Sequence, residues 1–152
     1  MRLALYQPDI PQNTGTILRT AACLGVGVDV IGPAGFDMSD RSLRRAGLDY
    51  LDHVDLTRHQ SWDAFLLMHE AHHGRLVLLT SHGAVPYTEF SFAASDVLLL
   101  GRESAGVPPA VHDRADARLK IIMQGGLRSL NIAVAAAMVT GEALRQIGHQ
   151  AS

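Results

Sequence analysis

The sequence predicts an α/β fold: a mainly parallel sheet with helices on both faces. Three observations predict it. Apolar runs of strand length recur along the chain, at residues 2–6, 28–32, 76–80, 96–101 and 119–123. Most are continuous rather than alternating, which is the pattern of strands covered on both faces. Helical patterns fall between them, as parallel strands require.

The elements follow in order. Residues 2–6 (RLALY) open the sheet. Residues 13–24 repeat apolar side chains at Ile17, Leu18, Ala21 and Leu24, with Asn13 or Thr14 available to cap the helix start. Residues 28–32 form the second strand. A short basic helix over 39–46 is stopped by Gly47, and a weaker strand follows at 53–57. Residues 61–72 read as a helix with Ser61 as its cap, ending before Gly74. Strands at 76–80 and 96–101 precede a short helix at 108–114. The last strand, 119–123, leads through Gly125 and Gly126 into the longest helix, 130–147, with Ser129 as its expected cap. That helix carries Ile132, Val134, Ala136, Met138, Val139 and Leu144 around much of its circumference. A helix apolar nearly all round is buried on more than one side. The second side is expected to meet another copy of the chain, since soluble oligomers are mostly symmetric dimers.

Composition narrows the class. The 152 residues suit one domain, 1–152, and 47% hydrophobic content suffices for a full core. A formal net charge of -2 excludes a global basic field. Arg41, Arg44, Arg45 and Arg58 nevertheless make a local basic patch. Cys23 is the single cysteine, so no internal disulfide forms and a reducing compartment fits. No leader-like or membrane-length apolar run occurs. The expectation is a cytoplasmic protein that does not engage a membrane.

Two motif matches fail on context. His69, Glu70 and His73 satisfy H-E-x-x-H, the zinc-hydrolase spacing. His73 abuts Gly74, no third ligand follows at the usual spacing, and histidines suit a helix C-terminus. No metal is expected. Gly25, Gly27 and Gly32 resemble a dinucleotide fingerprint, but they precede and end a strand instead of opening a helix. A catalytically silent binding dimer is the third class, distinguished from an enzyme by turnover.

Three stretches carry chemistry. NTGTILR (13–19) opens a helix after the first strand and places Arg19 one turn further in. GRESAGVP (101–108) follows an apolar strand, where ligands of open α/β sheets bind. Arg128, Ser129, Leu130 and Asn131 start the last helix, whose positive end favours an anionic ligand. The combination N-x-G-x-x-x-R, G-x-E-x-x-G-x-P and R-S-L-N resembles the three motifs of the SPOUT superfamily of S-adenosylmethionine-dependent RNA 2′-O-methyltransferases. LYQPDIPQNTG, GFDMSDRSLRRAGLDY and GRESAGVP most resemble the group acting on the wobble nucleotide of tRNA, cytidine or modified uridine.

The resemblance implies a C-terminal trefoil knot, a homodimer with active sites at its interface, and a tRNA anticodon arm as partner. It implies S-adenosylmethionine as the methyl donor, held around Leu79, Gly101, Ile121 and Met123 and contacted by Ser129 and Leu130. Glu103 and Asn131 would order the site, Arg19 would activate the reacting hydroxyl or orient the adjacent phosphate, and Arg128 would position RNA. Arg41, Arg44, Arg45 and Arg58 would meet phosphates. The chain departs from the family at Ile121-Ile122-Met123 for I-P-M, at Ala133 for a common serine, and at Gly141 for a common tyrosine.

Overall fold

The computed structural model describes residues 1–45 and 49–148. Its strands are β1 (Arg2–Tyr6), β2 (Gly27–Ile31), β3 (Leu56–His59), β4 (Leu76–Leu79), β5 (Val85–Pro86), β6 (Val97–Leu100) and β7 (Ala117–Lys120). They form a single sheet in the order β3-β2-β1-β6-β4-β7-β5. Every pairing between these strands is parallel. The helices are α1 (Pro11–Leu24), α2 (Asp40–Arg45), α3 (Trp62–Ala71), α4 (Pro109–Arg114) and α5 (Ile132–Ile147).

Strand alternation divides the core into two layers. Leu3, Leu5, Val28, Val30, Leu98 and Leu100 face Ile17 and Leu18 of α1 and Ala136 and Val139 of α5. On the other face, Ala4, Tyr6, Ile31, Leu78 and Leu99 meet Phe65 of α3 and Val111 of α4. All four residues of β6 are buried. A strand buried on both faces needs apolar side chains at odd and even positions alike, hence its unbroken apolar run.

Local chemistry moves several boundaries. The helix expected from residue 13 begins at Pro11, with Ile10 before it and no side-chain cap. Proline is suited to the first helical position because its missing N–H would have no partner there. Neither Asn13 nor Thr14 therefore caps the helix, and Thr14 is fully buried. The last helix begins at Ile132, and its cap is Asn131 instead of Ser129. The strand expected at 53–57 starts at Leu56, after a 3-10 turn over Leu51–His53. β5 was not foreseen: it has two residues and ends in proline, which an edge strand tolerates. The expected end of the basic helix, Ala46 and Gly47, lies outside the described residues.

The exposed side of α5 is apolar in part: Val134 is 50% and Met138 38% exposed. Among the described residues, no helix is long and apolar enough to cross a membrane.

Candidate active site

The carboxyl ends of β4, β6 and β7 open onto one cleft of about 930 Å³, closed by the segment entering α5. Leu79, Gly101, Glu103, Ile121, Met123, Ser129 and Leu130 line it, and so do Asn13 and Asn131. Residues from four regions of the chain are brought together where an open parallel sheet binds ligands.

The loop after β6 is folded back on itself. The Arg102 N–H donates to the Gly106 carbonyl at 2.9 Å, and the Gly106 N–H returns to the Arg102 carbonyl at 2.8 Å. A Cβ on Gly101 would lie 2.8 Å from the Gly106 Cα, too close for any side chain. Gly106 itself has φ of 63°, in the left-handed region that glycine enters freely. The spacing G-x-E-x-x-G is thus a consequence of this fold-back, and it turns Glu103 into the cleft.

Glu103 is locked to the turn leaving β1. Its Oε2 accepts the Asp9 N–H at 3.1 Å. The Ser104 hydroxyl donates to Asp9 Oδ2, and Arg102 lies 3.5 Å from the same carboxylate. Hydrogen bonding from Glu103, then from Ser104, pulls the Asp9 carboxyl down to about 2. Burial, then the hydrogen bond to Asp9, pushes Glu103 above its ordinary value. Glu103 is therefore the member of the pair that holds a proton more readily.

Asn131 joins the start of α5 to α1. Its Oδ1 accepts the Ala133 N–H at 2.8 Å, and its Nδ2 donates to Asn13 Oδ1 at 2.9 Å. Arg19 and Arg128 stand outside the cleft lining. Arg128 is exposed beside Ser129. Arg19 is exposed on α1, with its guanidinium carbon 4.7 Å from the centre of the Tyr50 ring.

The basic patch is partly neutralised from within. Arg44 pairs with Asp52 at 2.6 Å, and Arg58 with Asp40 at 2.7 Å. Arg41 and Arg45 share a shallow depression with Asp37. Counting arginines in the sequence could not reveal these pairings, because Asp52 comes from the 3-10 turn after α2, and Arg58 reaches Asp40 at the start of α2 from β3.

The H-E-x-x-H residues do not converge. His69 is 6% exposed and stacks on Phe65, with centroids 5.6 Å apart. Burial, then the nearby Arg114, lowers its pKa. Glu70 faces Arg114 at 3.5 Å. α3 ends at Ala71, so His73 lies beyond it, with φ of 53°. Among the described residues no three His, Cys, Asp or Glu side chains gather as a metal set.

Sequence reasoning passed over Asp9 and Tyr50. Asp9 sits at the carboxyl end of β1, and that position alone was a signal. Tyr50 closes the stretch GFDMSDRSLRRAGLDY, but no periodicity links it to residue 19.

The donor set of the cleft fits S-adenosylmethionine. Leu79, Ile121, Met123 and Leu130 offer apolar surface for a flat base, beside the loop that the close approach of Gly101 to Gly106 folds back.

Comparison with known proteins agrees with this geometry. A tRNA (cytidine(34)-2'-O)-methyltransferase of Beijerinckia indica is 62% identical over 146 residues, covering 96% of this chain and 91% of that one. A solved structure described as giving insights into "the 2-OH methylation of C/U34 on tRNA" is 47% identical, covers 95% of this chain and 89% of its own, and superposes with a TM-score of 0.85. AviRb, a SpoU methyltransferase of Streptomyces viridochromogenes solved with AdoMet, is 31% identical, with a TM-score of 0.85, over 96% of this chain and 60% of its own. The SpoU rRNA Methylase family matches residues 1–141, and the chain belongs to that family.

Proposed function

We propose that this chain transfers a methyl group from S-adenosylmethionine to the ribose 2′-hydroxyl of the wobble nucleotide of tRNA, a cytidine or a modified uridine. One observation carries the reading. The cleft at the strand ends gathers residues of all three motif stretches, in a chain 62% identical to a relative named for that reaction.

The donor supplies a methyl group already activated on a sulfonium, so the protein must align the acceptor and manage one proton. Leu79, Gly101, Ile121 and Met123 hold the adenine side of the donor, and Ser129 and Leu130 hold it from the segment before α5. Glu103 and Asn131 order these loops through Asp9 and Asn13. Arg19 does not serve as a base, because a guanidinium in a protein keeps its proton. It stabilises charge developing on the 2′-oxygen, or holds the adjacent phosphate. Arg128 positions RNA.

The functional unit in this reading is a cytoplasmic homodimer, with each active site completed by the partner subunit. The exposed Val134 and Met138 on α5, and the exposed Ile10 and Leu130 at the cleft, support it. The segment entering α5 is threaded as a trefoil knot around the donor. Arg41, Arg44, Arg45 and Arg58 bind the anticodon arm.

Mapping of 2′-O-methyl groups in tRNA from cells with and without the protein tests the assignment. The wobble methyl should vanish without it. An unchanged wobble ribose, with a methyl lost elsewhere, would overturn the substrate and keep the reaction type. Calorimetry with S-adenosylmethionine and no RNA separates the enzyme from a silent RNA-binding dimer, which would give no heat.

A further inference from the structure

We propose that Tyr50 is a positioning residue for methyl transfer, its ring face holding the Arg19 guanidinium in place on the surface. The inference rests on the reading of Arg19 given above.

An exposed arginine ordinarily samples many rotamers, and the usual restraint is a carboxylate. No such pair holds Arg19 among the described residues; its guanidinium carbon lies over the Tyr50 ring, 4.7 Å from the centroid. The distinction matters chemically. A carboxylate would restrain the guanidinium and cancel its charge. A ring face restrains it and leaves the N–H donors and the full positive charge available for an anionic oxygen.

The ring is itself firmly mounted. Tyr50 precedes the 3-10 turn Leu51–His53, and its carbonyl accepts the His53 N–H at 2.9 Å. Leu51 is 8% exposed and belongs to the core beneath α1. Asp52 ties the turn to Arg44 of α2 at 2.6 Å. One three-residue turn is therefore anchored in the core, bonded to the basic helix, and placed under the arginine that must meet the ribose. This arrangement links the patch that meets phosphate to the residue that acts on the hydroxyl.

The test uses the full chain with tRNA substrate, in Y50L and Y50F. Y50L should lower kcat about 2- to 5-fold, the worth of an exposed cation–π contact. Donor affinity and the KM for tRNA should change less. Y50F should restore the rate, because the ring face remains. The Arg19 Nε–Hε NMR signal, assigned by its loss in R19K, should be shifted by the ring current in the wild type and in Y50F, and should move in Y50L. An unchanged kcat in Y50L would overturn the proposal, as would an equal loss in Y50F or a wild-type Arg19 signal without a ring shift. Should Y50L fail to fold, the wild-type ring shift and the Y50F rate still decide. A ring shift in a wild-type protein inactive on tRNA would overturn the functional reading, and with it the catalytic half of the proposal.

Discussion

Asn131 and Asn13 meet at 2.9 Å, 118 positions apart in the chain, and the bond joins the starts of the two helices that cover one face of the sheet. Asn131 makes it with its Nδ2 while its Oδ1 caps α5 through Ala133 and Val134. The two roles separate by substitution. Asn131→Ala should cost about 1 kcal/mol from the lost cap alone, about 3 °C of melting temperature for a domain of this size. Asn131→Asp keeps the capping oxygen and loses the donor toward Asn13. It should melt near the wild type and bind S-adenosylmethionine more weakly, because both asparagines line the cleft. Equal donor affinity in Asn131→Asp would show that the Asn13 bond does not shape the site.

Glu103 makes stability depend on pH in a predictable direction. Burial raises its folded pKa above the ordinary 4.5. The folded protein then holds a proton that the unfolded chain has released, so stability falls as pH rises from 4.5 through the folded value. Glu103→Gln keeps an oxygen for the Asp9 N–H and removes the titration. Its stability should decline less over that range, as denaturant midpoints measured against pH would show. Asp9 contributes oppositely: lowered to about 2, it adds stability present above 3.8 and lost as pH falls toward 2.

Arg19→Ala should reduce methyl transfer by about 100-fold, the typical cost of removing one stabilising donor at a developing oxyanion. Calorimetric affinity for S-adenosylmethionine should stay within about 2-fold, because Arg19 stands outside the cleft lining. A large loss of donor binding in a folded variant would place Arg19 at the donor.

The histidines of H-E-x-x-H should separate in a stability assay. His69→Ala removes a buried ring stacked on Phe65 and should cost about 2 kcal/mol. His73→Ala, at an exposed position beyond the helix, should stay within about 0.5 kcal/mol. Chelator should leave methyl transfer intact; activity lost to chelator and restored by zinc would overturn this.

Legibility in the sequence followed the physics of each element. β1, β4 and β6 were readable because strands buried on both faces are continuously apolar, and β2 was readable despite its buried Asp29, which Arg2 and His59 pair. The parallel pairing was foreseen, but the strand order with β6 between β1 and β4 was not, because long-range pairing leaves no local signal. Ser129 was a reasonable cap by residue type, but the helix does not begin until Ile132 and Asn131 takes the role. The cleft was legible only as three separate stretches, whose convergence depends on which strands neighbour β6. The internal pairing of Arg44 and Arg58 was invisible, since a run of arginines does not say which acids will face it.

That pairing refines what the basic patch should do. Arg44 must leave Asp52, and Arg58 must leave Asp40, before either can neutralise a phosphate fully. Among the described residues, Arg41 and Arg45 share their depression with Asp37 and Ser42. Each phosphate neutralised adds about 0.7 to 0.9 to the slope of log affinity against log salt. Replacing Arg41 and Arg45 by alanine should therefore weaken tRNA binding and flatten the slope by about 1 to 2. Replacing Arg44 and Arg45 should act in the same direction and less strongly, because Arg44 would bind RNA at the cost of an existing ion pair. Asp52→Asn should tighten binding by freeing Arg44, and donor affinity should be unaffected by all three changes. Filter binding across a salt series reads each slope. Equal slopes in the wild type and the Arg41, Arg45 double variant would remove this helix from the RNA-binding surface.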